Sequence, residues 1–167
     1  MLYKSYCASP LGNLLLVSDG KNLLGLFIEG QKYYLNSIEE ELIENNQLAI
    51  FKKTKDWLCH YFMGEQPSIS TIPLAPRGTE FRQIVWQLLC EIPYGTVITY
   101  KELAKRVAQK LNKKSMSAQA IGQAVGHNPI SVIIPCHRVI GTNHHLTGYA
   151  AGVEKKMKLL ELEGYDK

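Results

Sequence analysis

Residues 99–126 read Thr-Tyr-Lys-Glu-Leu-Ala-Lys-Arg-Val-Ala-Gln-Lys-Leu-Asn-Lys-Lys-Ser-Met-Ser-Ala-Gln-Ala-Ile-Gly-Gln-Ala-Val-Gly, and they decide the architecture of the second half of the chain. Thr99 with Glu102 three residues later is a capping box, in which a hydroxyl and a carboxylate each satisfy an orphan amide at a helix start. The helix it opens is expected to run to about Gln109. A polar, basic segment follows, Lys110 to Met116. Ser117 then suits the N-cap of a second helix, Ala118 to Val125, made largely of small residues. Helix, basic turn and small-residue helix suggest a helix-turn-helix with a long turn. A plain helical hairpin has the same pattern.

Upstream, Phe81, Ile84, Val85, Leu88, Leu89 and Ile92 recur at helical spacing, and Pro93-Tyr94-Gly95 ends that helix. Thr96-Val97-Ile98 reads as a short extended piece. Pro67, Pro73, Pro76 and Gly78 neither extend a helix nor join a central strand, so a linker is expected, with a domain boundary near residue 75. Before it, Gly12 to Ile28 carries two apolar runs around Ser-Asp-Gly-Lys-Asn, a hairpin signal. Ser37 to Asn45 is acidic and helix-prone, and Ile50 to Phe62 has helical spacing. Downstream, Asn128-Pro129 breaks the chain. Ile130 to Ile134 reads as a buried strand ended by Pro135, which leaves Cys136-His137-Arg138 in a turn before Val139-Ile140-Gly141. A loop from Thr142 to Gly152 leads to a last helix, Val153 to about Glu163, with an apolar stripe of Val153, Met157 and Leu160 and with Glu163 at its margin.

With 167 residues, 46% hydrophobic and 20% charged, the chain can bury a real core. No run approaches the roughly 18 to 20 apolar residues of a membrane span, and the N-terminus lacks a signal peptide's apolar core, so a cytosolic protein without membrane partners is expected. In that compartment Cys7, Cys59, Cys90 and Cys136 are expected as free thiols. No Cys or His spacing matches a structural zinc site, so neither metal nor cofactor is expected. Charge is uneven: residues 1–75 carry 6 Lys/Arg against 8 Asp/Glu, and residues 76–167 carry 13 against 7. Between Thr99 and Ala150, seven basic residues face Glu102 alone. Such an excess fits a polyanion partner and equally fits a solvated lysine-rich face.

A nucleophilic cysteine needs access and a stabilised thiolate. Cys136 follows a rigid proline, stands beside His137 and Arg138, and occupies a turn where exposure costs little. A base or positive charge there is expected to lower its pKa. Cys7, Cys59 and Cys90 read as ordinary small hydrophobes. Neighbouring side chains in extended backbone point to opposite faces, so Cys136 and His137 need a bridging water or a kink to communicate. A third group must hold the imidazole in one tautomer. Glu163 would serve if half buried, although a Glu in that place is more often just a helix-end charge.

Ile134-Pro135-Cys136-His137-Arg138-Val139-Ile140-Gly141 is similar to the active-site signature of the 6-O-alkylguanine-DNA alkyltransferases, the methylated-DNA–protein-cysteine methyltransferases. So are Phe81-Arg82-Gln83-Ile84-Val85-Trp86, Ile92-Pro93-Tyr94-Gly95, Thr99-Tyr100-x-Glu102-Leu103-Ala104, Gly126-His127-Asn128-Pro129 and Leu146-Thr147-Gly148-Tyr149, in the family's order. Ser9-Pro10-Leu11-Gly12 resembles the start of its N-terminal domain. The resemblance implies an α+β protein: a small N-terminal α/β, ribonuclease H-like scaffold over 1–75, then a helical, winged-helix-like DNA-binding and catalytic domain over 76–167.

It further implies DNA repair by direct, irreversible, single-turnover transfer of an alkyl group from 6-O-alkylguanine onto Cys136. His137, through a water, and Glu163 deprotonate the thiol, and Asn128 braces its turn. Tyr100 donates to the flipped guanine. The carbonyls of Cys136 and Val139 read the guanine amino group, and Tyr149 and Ala150 close the pocket. Ala118, Ala120 and Gly122 keep the second helix slim enough for the minor groove, with Gln119, Arg138, Lys113 and Lys114 in the DNA-binding set. The implied partner is double-stranded DNA bearing an alkylated guanine, met by a monomer.

The chain departs from the family pattern at three places. Gln119 stands where an arginine usually inserts into the duplex, so weaker duplex binding or slower flipping is expected; equal affinity and transfer rate in the Gln119→Arg variant would remove that expectation. The segment from Lys105 to Ser117 is several residues longer than usual. Ala151 often gives way to glycine, which bears on pocket width. Three rival readings stand beside repair. A non-catalytic alkyltransferase-like DNA damage-binding protein would lack the acceptor thiol. A cysteine hydrolase would need an oxyanion hole, and a helix-turn-helix regulator would leave the Cys136 motif without a purpose.

Overall fold

Leu14-Leu15-Leu16-Val17 and Leu23-Leu24-Gly25-Leu26-Phe27-Ile28 are continuous apolar runs rather than alternating ones, the pattern of strands covered on both faces. In the computed structural model, which describes residues 1–142, 146 and 149–165, they form β2 (Leu14–Ser18) and β3 (Leu23–Ile28), in which every residue is buried. With β1 (Leu2–Cys7) and β4 (Leu42–Glu44) they make a sheet of order β3-β2-β1-β4. β1–β2 and β2–β3 pair antiparallel, the latter being the expected hairpin, and β1–β4 pairs parallel. Leu2, Leu15, Val17, Leu24 and Phe27 form one apolar cluster. Helix α1 (Ala49–Phe62) packs on β2 and buries Phe51, Leu58 and Tyr61.

Two expectations in this half are corrected. The acidic stretch expected as helix-prone supplies β4, whose Leu42 pairs with Leu2. Leu42, Ile43 and Glu44 pair with Leu2, Tyr3 and Lys4, which satisfies their backbone, and the Glu40 carboxylate pairs with Arg77 at 2.7 Å. The strand expected over Ile130–Ile134 shrinks to one bridge: Leu26 N–H donates to Pro129 O at 2.9 Å, and Ser131 N–H to Leu26 O at 3.0 Å. Val132 then turns the chain with φ +70°, closed by Ile133 N–H on Ser131 O at 2.8 Å. A β-branched residue in the left-handed region is strained.

By its internal contacts the chain divides into Met1–Arg77 with Pro129–Ile133, and Gly78–Asn128 with Ile134–Lys167. The second unit is helical. α2 (Glu80–Leu89), α3 (Tyr100–Lys110) and α4 (Ala118–Gly126) pack on one another around Val85, Trp86, Leu89, Leu103, Val107, Ile121 and Val125. Trp86 Nε1–H donates to Ala124 O at 2.8 Å, so the indole is both packed and satisfied. Thr99 and Ser117 cap as expected, their hydroxyls accepting from Glu102 N–H at 3.0 Å and Ala120 N–H at 3.3 Å. The capping box at Thr99 is only half built, since the Glu102 carboxylate pairs with Arg106 at 3.5 Å. β5 (Ile98–Thr99) and β6 (Val139–Ile140) pair parallel, which sets Tyr100, the first residue of α3, beside the turn that precedes β6. α5 (Val153–Leu162) packs on that turn. Among the described residues no helix is long and apolar enough to cross a membrane.

Candidate active site

A tight turn positions Cys136: Pro135 (φ −80°, ψ 63°) bends the chain, with Cys136 N–H donating to Ile134 O at 2.8 Å. A single 3₁₀ turn, Cys136–Arg138, leads into β6, and its carbonyl at Cys136 accepts the Val139 N–H. Asn128, buried just after α4, donates from Nδ2 to Ile134 O at 2.9 Å and hydrogen-bonds the Cys136 sulfur. The amide thus ties the end of α4 to the turn bearing the thiol. Cys136 is only 5% exposed, which corrects the expectation of an open turn. The direction of its pKa is corrected too: burial pushes the thiol up, while Asn128 and the Lys156 charge pull against it. Desolvation of a thiolate outweighs a hydrogen bond and a cation unless a base takes the proton.

His137, for which the resemblance implies the role of base, is fully buried. Its Nε2–H donates to Glu163 Oε2 at 2.7 Å, so Nδ1 is the free basic nitrogen. Nδ1 takes no hydrogen-bond partner among the described residues. Burial holds the imidazole below its ordinary pKa, the Glu163 contact working the other way. His137 is therefore neutral at pH 7, with a lone pair at Nδ1.

Glu163 is buried at the end of α5 and carries more than the histidine. Arg138 Nε donates to Glu163 Oε1 at 2.7 Å and Nη2 to Oε2 at 3.0 Å, while Nη1 donates to Ile92 O at 2.7 Å. Gly95 N–H adds a longer bond to Oε1 at 3.4 Å. Gly95 has φ +79°, which favours glycine, and a Cβ there would stand a tight 3.1 Å from Glu163 O. The expected placement of Arg138 on DNA is corrected here. Its guanidinium is buried, spent on Glu163 and Ile92, and sits 5.7 Å from the Tyr94 ring. A planar fork matches a carboxylate bidentately and anchors it better than a mobile lysine would.

α5 presents a different face from the one expected. Val153 is 44% exposed, and the buried positions are Lys156, Leu159 and Leu160. With Glu163 these fall on one stripe at i, i+3, i+4 and i+7. Two charged residues lie on it because each has partners inside. Lys156, missed in the sequence, is fully buried, its Nζ donating to Val139 O at 2.6 Å and lying 5.8 Å from the Tyr100 ring. Burial brings its pKa down to about 8, partly offset by Cys136. A lysine spaced three from Val153 and four from Leu160 was the available signal. Lys156→Met should keep the fold and slow alkylation of Cys136 by a haloacetamide about tenfold, as one unit of lost thiolate stabilisation gives. Peptide mapping of the label measures this, and an unchanged rate would assign Lys156 to packing alone.

Tyr100 is partly buried, and burial with the nearby Cys136 pushes its pKa up to about 12. Its hydroxyl stays a donor at neutral pH. Val139 is buried, Tyr149 is buried and Ala150 half-buried, whereas Thr147 and Gly148 of the same motif lie outside the described residues. Cys90 is pushed up to about 11 by burial and Cys7 is also raised, in keeping with inert thiols, while Cys59 is exposed. On α4, Ala118 and Gln119 are exposed and Ala120 and Gly122 half-buried. A Cβ added to Gly122 would meet no atom within 4 Å. A mid-helix glycine costs about 1 kcal/mol against alanine, so its use lies outside the chain's own packing. Lys113 and Lys114 are exposed in the segment between α3 and α4.

Two family models match the chain: the 6-O-methylguanine DNA methyltransferase ribonuclease-like domain over residues 2–76 and its DNA binding domain over 80–165. The chain is 44% identical to a methylated-DNA–protein-cysteine methyltransferase of Haemophilus influenzae, over 97% of this chain and 86% of that protein. It is 42% identical to the protein of that name from Methanosarcina acetivorans, over 98% and 99%. A crystal structure of Mycobacterium tuberculosis OGT in complex with DNA superposes with a TM-score of 0.84 at 37% identity, covering 96% of this chain and 92% of that one.

Proposed function

Because this chain belongs to the 6-O-methylguanine DNA methyltransferase family, we propose that it repairs DNA by moving an alkyl group from 6-O-alkylguanine onto its own Cys136, once and irreversibly. The observation that carries this assignment to particular atoms is the buried His137–Glu163 contact of 2.7 Å beside a cysteine that burial alone would keep protonated. In that geometry the neutral imidazole takes the thiol proton at Nδ1 through a bridging water. The Glu163 carboxylate stabilises the imidazolium that forms, and Lys156 faces the new thiolate.

The sulfur then attacks the alkyl carbon in line. The S–C bond forms as the C–O bond breaks, and the electron pair returns to the guanine oxygen. Tyr100 donates its hydrogen bond to the departing base, and the carbonyls of Cys136 and Val139 receive its amino group. Each carbonyl already accepts one protein donor and has a second lone pair for this. Asn128 keeps the turn in place, and Tyr149 and Ala150 close over the base. The product is a thioether that no group in the site can hydrolyse, so one event consumes one molecule.

A paired guanine hides its oxygen from the thiol, so the nucleotide must first rotate out of the duplex, at a few kcal/mol. The small residues of α4, exposed Ala118 and half-buried Ala120 and Gly122, suit close approach to the minor groove, with Gln119 at the extruded base's place and Lys113 and Lys114 on phosphates. Residues 1–75 serve as scaffold and 76–167 carry the chemistry, in a cytoplasmic monomer. A non-catalytic damage-binding relative would have no use for a base, carboxylate and cation gathered round a thiol. The test is intact mass after mixing with a duplex containing 6-O-methylguanine: one added methyl per molecule at most. Binding without mass gain would overturn transfer.

A further inference from the structure

Outside the active site, the described residues of the second unit form a strongly basic concavity. Lys101 and Lys105 lie one turn apart on α3, on a face where like charges repel. Past the end of that helix the chain folds back. Asn112 takes φ +56°, Asn112 N–H donates to Gln109 O at 3.2 Å, and Lys113 N–H returns to Ala108 O at 2.8 Å. This closure fixes Lys113 and Lys114 across from the two helix lysines. The four side chains line a recess of about 310 Å³, and no carboxylate lines it. The one acid on α3, Glu102, pairs with Arg106 instead.

We propose that this recess is a phosphate cradle for the DNA backbone flanking the lesion, with Lys101 and Lys105 completing a site of which Lys113 and Lys114 are the outer half. The inference rests on the alkyltransferase reading. Four ammonium groups held round one hollow repel each other until an anion enters, and a phosphodiester brings the matching charge without sequence information. Met116 lines the same recess and Ser117 caps α4 immediately after it. A strand whose phosphate sits in the cradle is thereby led to the small-residue helix. The lengthened segment after α3 thus supplies charge that Gln119 does not bring to the duplex.

Each phosphate neutralised contributes about 0.9 to the slope of log affinity against log salt. Lys101→Gln with Lys105→Gln should lower that slope by about one and weaken duplex binding several-fold, and Lys105→Gln alone should lower it by less. Lys53→Gln, an exposed lysine on α1, is the charge-matched control and should leave the slope unchanged. Equal slopes for wild type and both cradle variants would overturn the cradle, as would an equal loss in the Lys53 control. Failure of the wild-type protein to bind duplex or to gain a methyl would instead overturn the functional reading beneath it.

Discussion

Cys136→Ser is expected to gain no mass from a 6-O-methylguanine duplex, where the wild-type protein gains one methyl per molecule. The substitution exchanges sulfur for oxygen in a buried turn and leaves Asn128, His137 and Glu163 in place, so the fold and duplex binding are retained. What is lost is a group that can ionise. A thiol can be deprotonated by a neutral imidazole, whereas an alcohol holds its proton far more tightly and needs a stronger base than His137. The loss is therefore complete rather than graded. The variant should hold lesion-bearing duplex without releasing it repaired. Intact-mass spectrometry reads the result directly. A methyl on the serine variant would place the acceptor at another residue, with exposed Cys59 the first to map.

Glu163→Gln is the second large effect, and it falls on stability as well as on rate. The carboxylate is fully buried and takes His137 and two of the three Arg138 guanidinium nitrogens at 2.7 to 3.0 Å. Neutralising it leaves the buried Arg138 cation without a counter-charge, which costs about 3–5 kcal/mol. Urea unfolding measures the loss. Adding Arg138→Met should restore much of it, because removing both members of a buried pair is far cheaper than removing one. Single-turnover transfer should stay low in both variants, since neither returns a carboxylate to His137. A double variant as unstable as the single one would show that the cost lies in shape and not in charge.

The same site sets the pH response. His137 is held below its ordinary value of 6.5 by burial, so as acid is added the unfolded chain binds a proton before the folded one does. Stability is therefore fully present above about pH 6.5 and declines as pH falls below it. Transfer follows the same direction, because protonated His137 has no lone pair for the thiol.

Much of this protein was legible without coordinates. α2 is written in apolar spacing, and the helices after Thr99 and Ser117 in a hydroxyl that caps the first turn. The hairpin of β2 and β3 is a local signal of the same kind. Cys136, His137 and Asn128 stand in motifs read directly off the chain, and Glu163 was within reach at a helix end.

Tertiary structure alone decided the rest, for one reason: burial turns on which partners a side chain meets, and partners distant in sequence leave no local mark. Ile130–Ile134 has strand composition, yet it keeps only a single bridge with Leu26 before Val132 turns the chain at φ +70°. Arg138 looked like a DNA contact until Glu163, 25 residues on, claimed its guanidinium. Lys156 counted as one more surface lysine until α5 proved to turn it inward onto the Val139 carbonyl. By itself the sequence pointed to Cys136, His137, Asn128 and Glu163; only the folded chain decided which charges surround the thiol, because desolvation and pairing exist only once the chain is packed.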